Sequence, residues 1–217
     1  MKENVFEKER LYMKNLSLYK ASRLISAIFN PFMVPFLAYV VLFIFTYLNM
    51  LPLGYRFLVL SVVFAFTILL PALGIFIFRK MNGWGIRAFR DRKKRYVPWA
   101  ISIISYLACF IMMNRLRMPS YMSGIILASI LSMIIGLITN VRWKICEHMI
   151  ACGGVVGGLI AFSMMFNYNP LFWLSFFILL SGSLGTARIV RKHHTLGEVI
   201  AGFSVGFIAT LYGILYY

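Results

Sequence analysis

The sequence predicts an all-α integral membrane protein, a bundle of about seven transmembrane helices. Hydrophobic residues make up 61% of the 217 residues and charged residues only 13%, whereas about a quarter of the residues in a soluble domain are charged. The apolar runs have the length of roughly 20 residues that a helix needs to cross the hydrocarbon core. They do not alternate in polarity as barrel strands would, and a helix satisfies its own backbone hydrogen bonds.

The chain divides into a basic, partly amphipathic segment at residues 1–23, which we expect to lie on the membrane surface, and a transmembrane domain at residues 24–217. No short apolar run with a small-residue cleavage site follows the charged amino terminus, so we expect no cleaved signal peptide. Pro31 and Pro35 are expected to kink the first span. The predicted spans cover residues 24–48, 56–78, 97–114, 121–140, 149–166 and 171–185, and a seventh follows residue 198.

Small residues and cysteines within the spans have simple packing explanations. Gly153 and Gly157, with their neighbours Gly154 and Gly158, give two overlapping GxxxG pairs, and the seventh span carries another. Such pairs allow helix backbones to approach closely in lipid. The three cysteines fit no disulfide or zinc pattern.

Three polar breaks, at residues 79–95, 141–148 and 186–198, are expected on one side of the membrane because two spans separate each from the next. With the segment before the first span, this side holds 19 of the 22 lysines and arginines. The positive-inside rule then favours the cytoplasmic face. Cations that bind phosphate are not a topology signal, however. If the cations of the breaks are left out, six cations remain on this side of the membrane and three on the other. A periplasmic location of the three breaks therefore stays open.

The net charge of +16 lies mainly in these breaks. Lipid headgroups or substrate phosphates are therefore the expected partners, rather than nucleic acid. Cleavage of a phosphate ester without a metal needs cations around the phosphoryl oxygens, a nucleophile and an acid for the departing alkoxide.

The third break offers a nucleophile and a group to orient it, in the spacing Arg188-x5-His194-x3-Glu198. Thr195 and Glu198 match a capping box, which would start the seventh helix and bring the carboxylate beside His194. Glu198 alternatively serves only as a cap. His193 competes for the nucleophile role, but its spacing to the arginine and the acid fits less well.

The other two breaks indicate a phosphate site less specifically than the third break does. The basic stretch before Pro98 supplies guanidinium groups, although lysines and arginines at this position also serve as membrane-interface anchors. His148 opens the fifth span, where a solvated interface histidine is the simpler interpretation. Nothing in its immediate surroundings in the sequence makes it catalytic.

The third break resembles a motif of a known family. The stretch Ala187-Arg188-x5-His194-x3-Glu198 has the spacing of S-R-x5-H-x3-D. This is the third motif of the type 2 phosphatidic acid phosphatase superfamily, membrane lipid phosphatases related to vanadium haloperoxidases. Serine is replaced by Ala187 and aspartate by Glu198.

The first two family motifs are matched in part. Of P-S-G-H, only His148 is kept, because Cys146 and Glu147 stand in place of serine and glycine. The motif K-x6-R-P is approximated by the run ending in Arg95 and Pro98. Residues 79–217 are most similar to a compact bacterial branch with the stretches D-R-x-x-R-x-x-P, W-K-I-S-x-H and A-R-x5-H-T. The matching residues are Asp91, Arg92, Arg95 and Pro98, then Trp143, Lys144, Ile145 and His148, then Ala187, Arg188, His194 and Thr195.

The resemblance implies a six-helix phosphatase core plus an extra span in the inner (cytoplasmic) membrane of a bacterium. It also implies roles: His194 attacks phosphorus to give a phosphohistidine, Glu198 orients it, and His148 protonates the leaving group. No metal or other cofactor is required. The phosphate-binding residues would be Arg92, Lys94, Arg95, Lys144 and Arg188.

The expected function is that of a phosphatase acting on a lipid phosphomonoester or pyrophosphate, such as phosphatidic acid, phosphatidylglycerophosphate or a polyprenyl pyrophosphate. A catalytically weak or inactive relative that binds phospholipid or acts as a scaffold is the alternative, favoured by the loss of both motif serines and by Glu147. A transporter or channel is the third alternative. The near absence of charge within the spans argues against it, because carriers usually place polar groups at mid-membrane. The oligomeric state stays open.

Overall fold

The computed structural model describes residues 31–45, 50–83, 96–141, 145–167, 169–190 and 194–217. Several sequence predictions therefore fall outside the described residues. They are the amino-terminal segment 1–23, the beginning of the first span, and the residues Asp91, Arg92, Lys94, Arg95, Trp143, Lys144 and His193.

All regular structure within these ranges is helical, which confirms a multi-span membrane bundle. Six helices are long and apolar enough to cross a membrane, and a shorter apolar helix precedes them. We number them α1 (Val34–Phe45), α2 (Leu53–Met81), α3 (Tyr96–Arg115), α4 (Ser120–Thr139), α5 (Glu147–Phe166), α6 (Leu171–Val190) and α7 (Leu196–Leu215).

The prolines of the first span lie at the beginning of its described part. A 3-10 turn, Pro31–Met33, leads directly into α1. Pro35 is the second residue of that helix, where a missing backbone N–H breaks no hydrogen bond. The kink expected from Pro31 and Pro35 stays a prediction, since the part of the span before Pro31 lies outside the described residues.

A π-helical turn, Ala65–Leu69, interrupts α2 just before Pro71. In a π turn each N–H bonds to the carbonyl five residues back, as the Leu70 N–H does to the Ala65 carbonyl. The next such bond would run from residue 71 to the Phe66 carbonyl, but proline has no N–H. The Ser105 hydroxyl of α3 donates to that carbonyl instead. A neighbouring helix thus satisfies the backbone group that proline leaves open.

Helices α5 and α7 form the most extensive interhelix contact in the described structure. A Cβ atom on Gly153 would lie 2.0 Å from the Phe203 carbonyl oxygen, and one on Gly206 would lie 1.8 Å from the Ile150 carbonyl oxygen. Only glycine permits this backbone contact. The packing role expected of the glycine pairs is confirmed.

Helix α6 continues five residues beyond its predicted end and reaches Val190. The polar residues of the third break do not end the helix. The Thr186 hydroxyl donates a hydrogen bond to the Gly182 carbonyl one turn earlier in the same helix. A cation also suits the last turn, where the helix dipole is negative. Arg188 therefore lies on a helix rather than in a loop.

Candidate functional site

The described flanks of the three polar breaks meet at one end of the bundle. The indole N–H of Trp99, in the first turn of α3, donates a hydrogen bond to Glu147 at the start of α5. The Cys146 carbonyl lies against Gly202 of α7, and Gly185 of α6 packs against the first turn of that helix. We call this end, formed by the starts of α3, α5 and α7 and the end of α6, the site end. Span counting predicts the same grouping.

The start of α7 brings His194 and Glu198 together. Thr195 is the N-cap residue, in extended conformation (φ −84°, ψ 162°), and its side chain accepts from the Glu198 N–H at 3.4 Å. The Glu198 carboxylate accepts from the Thr195 N–H at 3.2 Å, which completes the predicted capping box. The same oxygen, Oε2, lies 2.8 Å from Nδ1 of His194. One carboxylate thus caps the helix and contacts the imidazole.

This contact determines the tautomer of the imidazole. A carboxylate can only accept, so Nδ1 of His194 carries a proton and donates it to Glu198. In neutral imidazole the lone pair is then on Nε2. The side chain of His194 is 2% exposed and that of Glu198 13%, so little water screens the pair. The hydrogen bond and the burial hold the ring in one orientation, with the proton on Nδ1.

Arg188 contacts the start of α5 from the last turn of α6. Its guanidinium lies beside the thiol of Cys146, the residue that stands where the motif of the similar family has serine. Burial raises the pKa of the Cys146 thiol above its ordinary value, while the Met149 amide and the Arg188 charge oppose that rise. The Nε atom of Arg188 is buried and makes no hydrogen bond to any part of the chain that the structure describes.

Glu147 is directed towards α3. Its Oε1 atom accepts from Nε1 of Trp99 at 2.7 Å. A carboxylate that faced a bound phosphate at this position would repel it. The hydrogen bond holds one of its oxygens at the indole of α3, whereas the neighbouring Cys146 meets Arg188 of α6.

His148 faces α1 and α6. It lines a small cavity of about 20 Å³ whose other walls are apolar or carry only a thiol. Its role as proton donor stays a prediction. The remaining lining residues are Val34, Ala151, Cys152, Val155, Phe177 and Leu180.

The phosphate-binding roles of Arg92, Lys94, Arg95 and Lys144 also stay predictions, since these residues lie outside the described ranges. No group of three or more histidine, cysteine or acidic side chains in the described ranges could hold a metal ion. Sequence reasoning missed Trp99, whose only signal was a large polar-tipped ring directly after Pro98, in the first turn of a span.

No protein-family model matches the chain, and comparisons with curated proteins and with solved structures also find no match. The resemblance to the phosphatidic acid phosphatases therefore rests on the motif residues alone.

Proposed function

We propose that this protein is a membrane lipid phosphatase that works through a phosphohistidine and needs no metal. The observation that carries the proposal is the 2.8 Å contact between Nδ1 of His194 and the Glu198 carboxylate, at the beginning of a membrane helix. The start of a helix also favours a bound anion, because its first N–H groups and the helix dipole are positive.

In the proposed reaction, the Nε2 lone pair of His194 attacks phosphorus and the bond from phosphorus to the lipid oxygen breaks. The protonated imidazole of His148 gives its proton to the departing oxygen. Water then attacks the phosphohistidine and passes a proton back to His148, which releases inorganic phosphate and restores His194. Glu198 stabilises the positive charge that develops on the ring of His194.

Cations neutralise the phosphoryl oxygens during both steps. Arg188 has a described position at the site end, beside Cys146. Arg92, Lys94, Arg95 and Lys144 are assigned to the same task by the motif resemblance. The lipid headgroup would lie at the membrane surface with its chains between helices.

The proposal extends to topology and location. It assigns α1 as a seventh span, added to a six-helix phosphatase core, and places the protein in the inner membrane of a bacterium. The charge bias favours a cytoplasmic site end. A reporter fused to the carboxyl terminus, opposite the site end, would report the cytoplasmic or the periplasmic side directly.

The test is phosphate release by the purified protein in detergent, from phosphatidic acid, phosphatidylglycerophosphate and a polyprenyl pyrophosphate, with a chelator present. We expect turnover that vanadate inhibits and that His194→Ala lowers by at least about a hundredfold. His193→Ala is the matched control and should keep its activity. Full turnover by His194→Ala would show that the nucleophile is wrongly assigned.

A second candidate is a lipid-binding relative without turnover. It is favoured by Cys146, whose raised pKa keeps a neutral thiol beside Arg188, and a thiol donates weaker hydrogen bonds than the family's serine. Binding of vesicles containing phosphatidic acid, with no phosphate released from any of the three lipids, would support this candidate over the enzyme.

A further inference from the structure

An apolar groove runs along the membrane-exposed surface between α4 and α7. Its volume is about 330 Å³, and its lining is entirely apolar. Its floor is Ala209, which is 4% exposed, whereas Ile208 on its rim is 63% exposed. We call it the α4–α7 groove. The lining residues are Leu131, Ile135, Val205, Ile208, Ala209 and Tyr212.

The groove lies on the same face of α7 as Glu198. Val205 and Tyr212 follow Glu198 by seven and fourteen residues, about two and four helical turns, and so project in nearly the same direction. Ala201, a small and half-buried residue, lies close to that face between Glu198 and Val205. One helix face therefore leads from the carboxylate that contacts His194 to the groove.

The groove also lies in the half of the bilayer next to the site end. Ile135 and Leu131 precede Thr139, where α4 ends, by four and eight residues, which places them about 6 Å and 12 Å from that helix end. Half of the hydrocarbon core is roughly 15 Å thick. On α7, Gly206 packs against Ile150, only one turn into α5. A lipid chain that starts from a headgroup at the site end can therefore reach the groove.

The width of the groove decides what can fill it. From Val205 to Tyr212 the groove follows α7 for about 10 Å, so its volume of about 330 Å³ gives a mean cross-section of about 30 Å². A helix with its side chains is about 10–12 Å across and needs about 80 Å² or more. A single hydrocarbon chain, whose carbons contact their neighbours at about 4 Å, does fit. Because lipid tails are as apolar as the groove, close packing is what holds a chain there.

We propose that the α4–α7 groove holds one acyl chain of the lipid phosphate whose headgroup binds at the site end; this inference rests on the proposed function, which places that headgroup. Ala209 then determines the chain preference, because its small side chain leaves the space that the chain occupies. A larger side chain at this position weakens the binding of long-chain lipids and leaves the chemistry at His194 unchanged.

The first experiment compares Ala209→Leu with Ala72→Leu in the full-length protein in detergent, using phosphatidic acid with long (dioleoyl) or short (dihexanoyl) chains. Ala72→Leu is the matched control, because Ala72 is exposed on α2 and lies outside the groove. We expect Ala209→Leu to raise KM for the long-chain lipid by about fivefold, with kcat and the short-chain KM within about twofold of the wild type. Ala72→Leu should change neither KM. An equal rise for both lipids, or no rise, overturns the proposal.

A second measurement depends neither on turnover nor on that substitution. In His194→Ala, phosphatidic acid with a photoreactive group midway along one chain should label residues 131–135 and 205–212. Phosphatidylcholine with the same chain should label them at least about threefold less, because its headgroup is not held at the site end.

The other possible occupants give different results. Equal labelling by both lipids would identify an ordinary bilayer lipid, and a disulfide-linked dimer formed through Ile208→Cys in vesicles would identify a second copy of the chain; either result overturns the proposal. If the wild type releases no phosphate from any lipid while the labelling keeps its preference for phosphatidic acid, the proposed catalysis fails and the groove assignment stands for a lipid-binding protein.

Discussion

Glu198 has two tasks that single substitutions separate, because its carboxylate both completes the cap of α7 and contacts His194. Glu198→Gln should impair the second task alone. Glutamine serves as well as glutamate at this position of a capping box, so the helix start is kept. The imidazole, however, loses the negative charge 2.8 Å from Nδ1.

The size of the effect follows from that distance. With an effective dielectric constant of about 20, unit charges at this separation attract by roughly 6 kcal/mol before desolvation is counted. Net values for hydrogen bonds to charged groups are about 1.5–3 kcal/mol. We therefore expect kcat for phosphate release to fall by about 10- to 150-fold in Glu198→Gln, with the midpoint of thermal unfolding almost unchanged.

Thr195→Ala is the converse variant. It removes the hydroxyl that caps the Glu198 amide, and that contact is long, at 3.4 Å. The loss should be near the lower end of the range of about 0.5–2 kcal/mol for N-caps, visible as a lower unfolding midpoint with kcat within about threefold. If Glu198→Gln instead lowered the midpoint and kept full turnover, Glu198 would be a cap and nothing more.

The two remaining predictions concern packing and a thiol. Gly206→Ala should destabilise the protein by about 3 kcal/mol, because the new Cβ would meet the Ile150 carbonyl oxygen at 1.8 Å. Thermal unfolding in detergent measures this loss. Gly182→Ala is the matched control and should unfold like the wild type, because its new Cβ would meet no atom of another element within 4 Å. Because Cys146 is fully buried, its ionisation is followed by the ultraviolet thiolate absorbance that Cys146→Ala removes, and this absorbance should appear only above the ordinary thiol pKa. Arg188→Gln should move this onset to higher pH, since a positive charge that favours thiolate is lost; an onset at lower pH would contradict the described contact.

The helices were predictable because hydrophobic length alone determines where a chain can cross a membrane. The cap at Thr195 was predictable as well, since a capping box is encoded within four residues. The end of α6 was not, because Thr186 and Arg188 look like a loop in a hydropathy profile although both are compatible with a helix. The start of α7 could therefore be predicted from a local motif, whereas the end of α6 had no such motif to mark it.

Two other features could be recognised only in the three-dimensional structure. The π turn before Pro71 depends on a hydroxyl from α3, and no pattern within α2 predicts that partner. The direction of Glu147 depends on how α5 is rotated against α3. Its position beside His148 in the sequence suggested a charge within the site, and its bond to Trp99 shows that one oxygen is engaged elsewhere.

The packing of α7 has a consequence for biosynthesis. Among the described helices α7 leaves the ribosome last, and it packs far more extensively against α5 than against its neighbour α6. Helices α5 and α6 must therefore be in the membrane before α7 finds its place between them and α4. Because His194 and Glu198 lie at the start of α7, a nascent chain has this pair at the site end only once α7 is inserted. Translation and membrane insertion thus set the moment at which the proposed chemistry can begin.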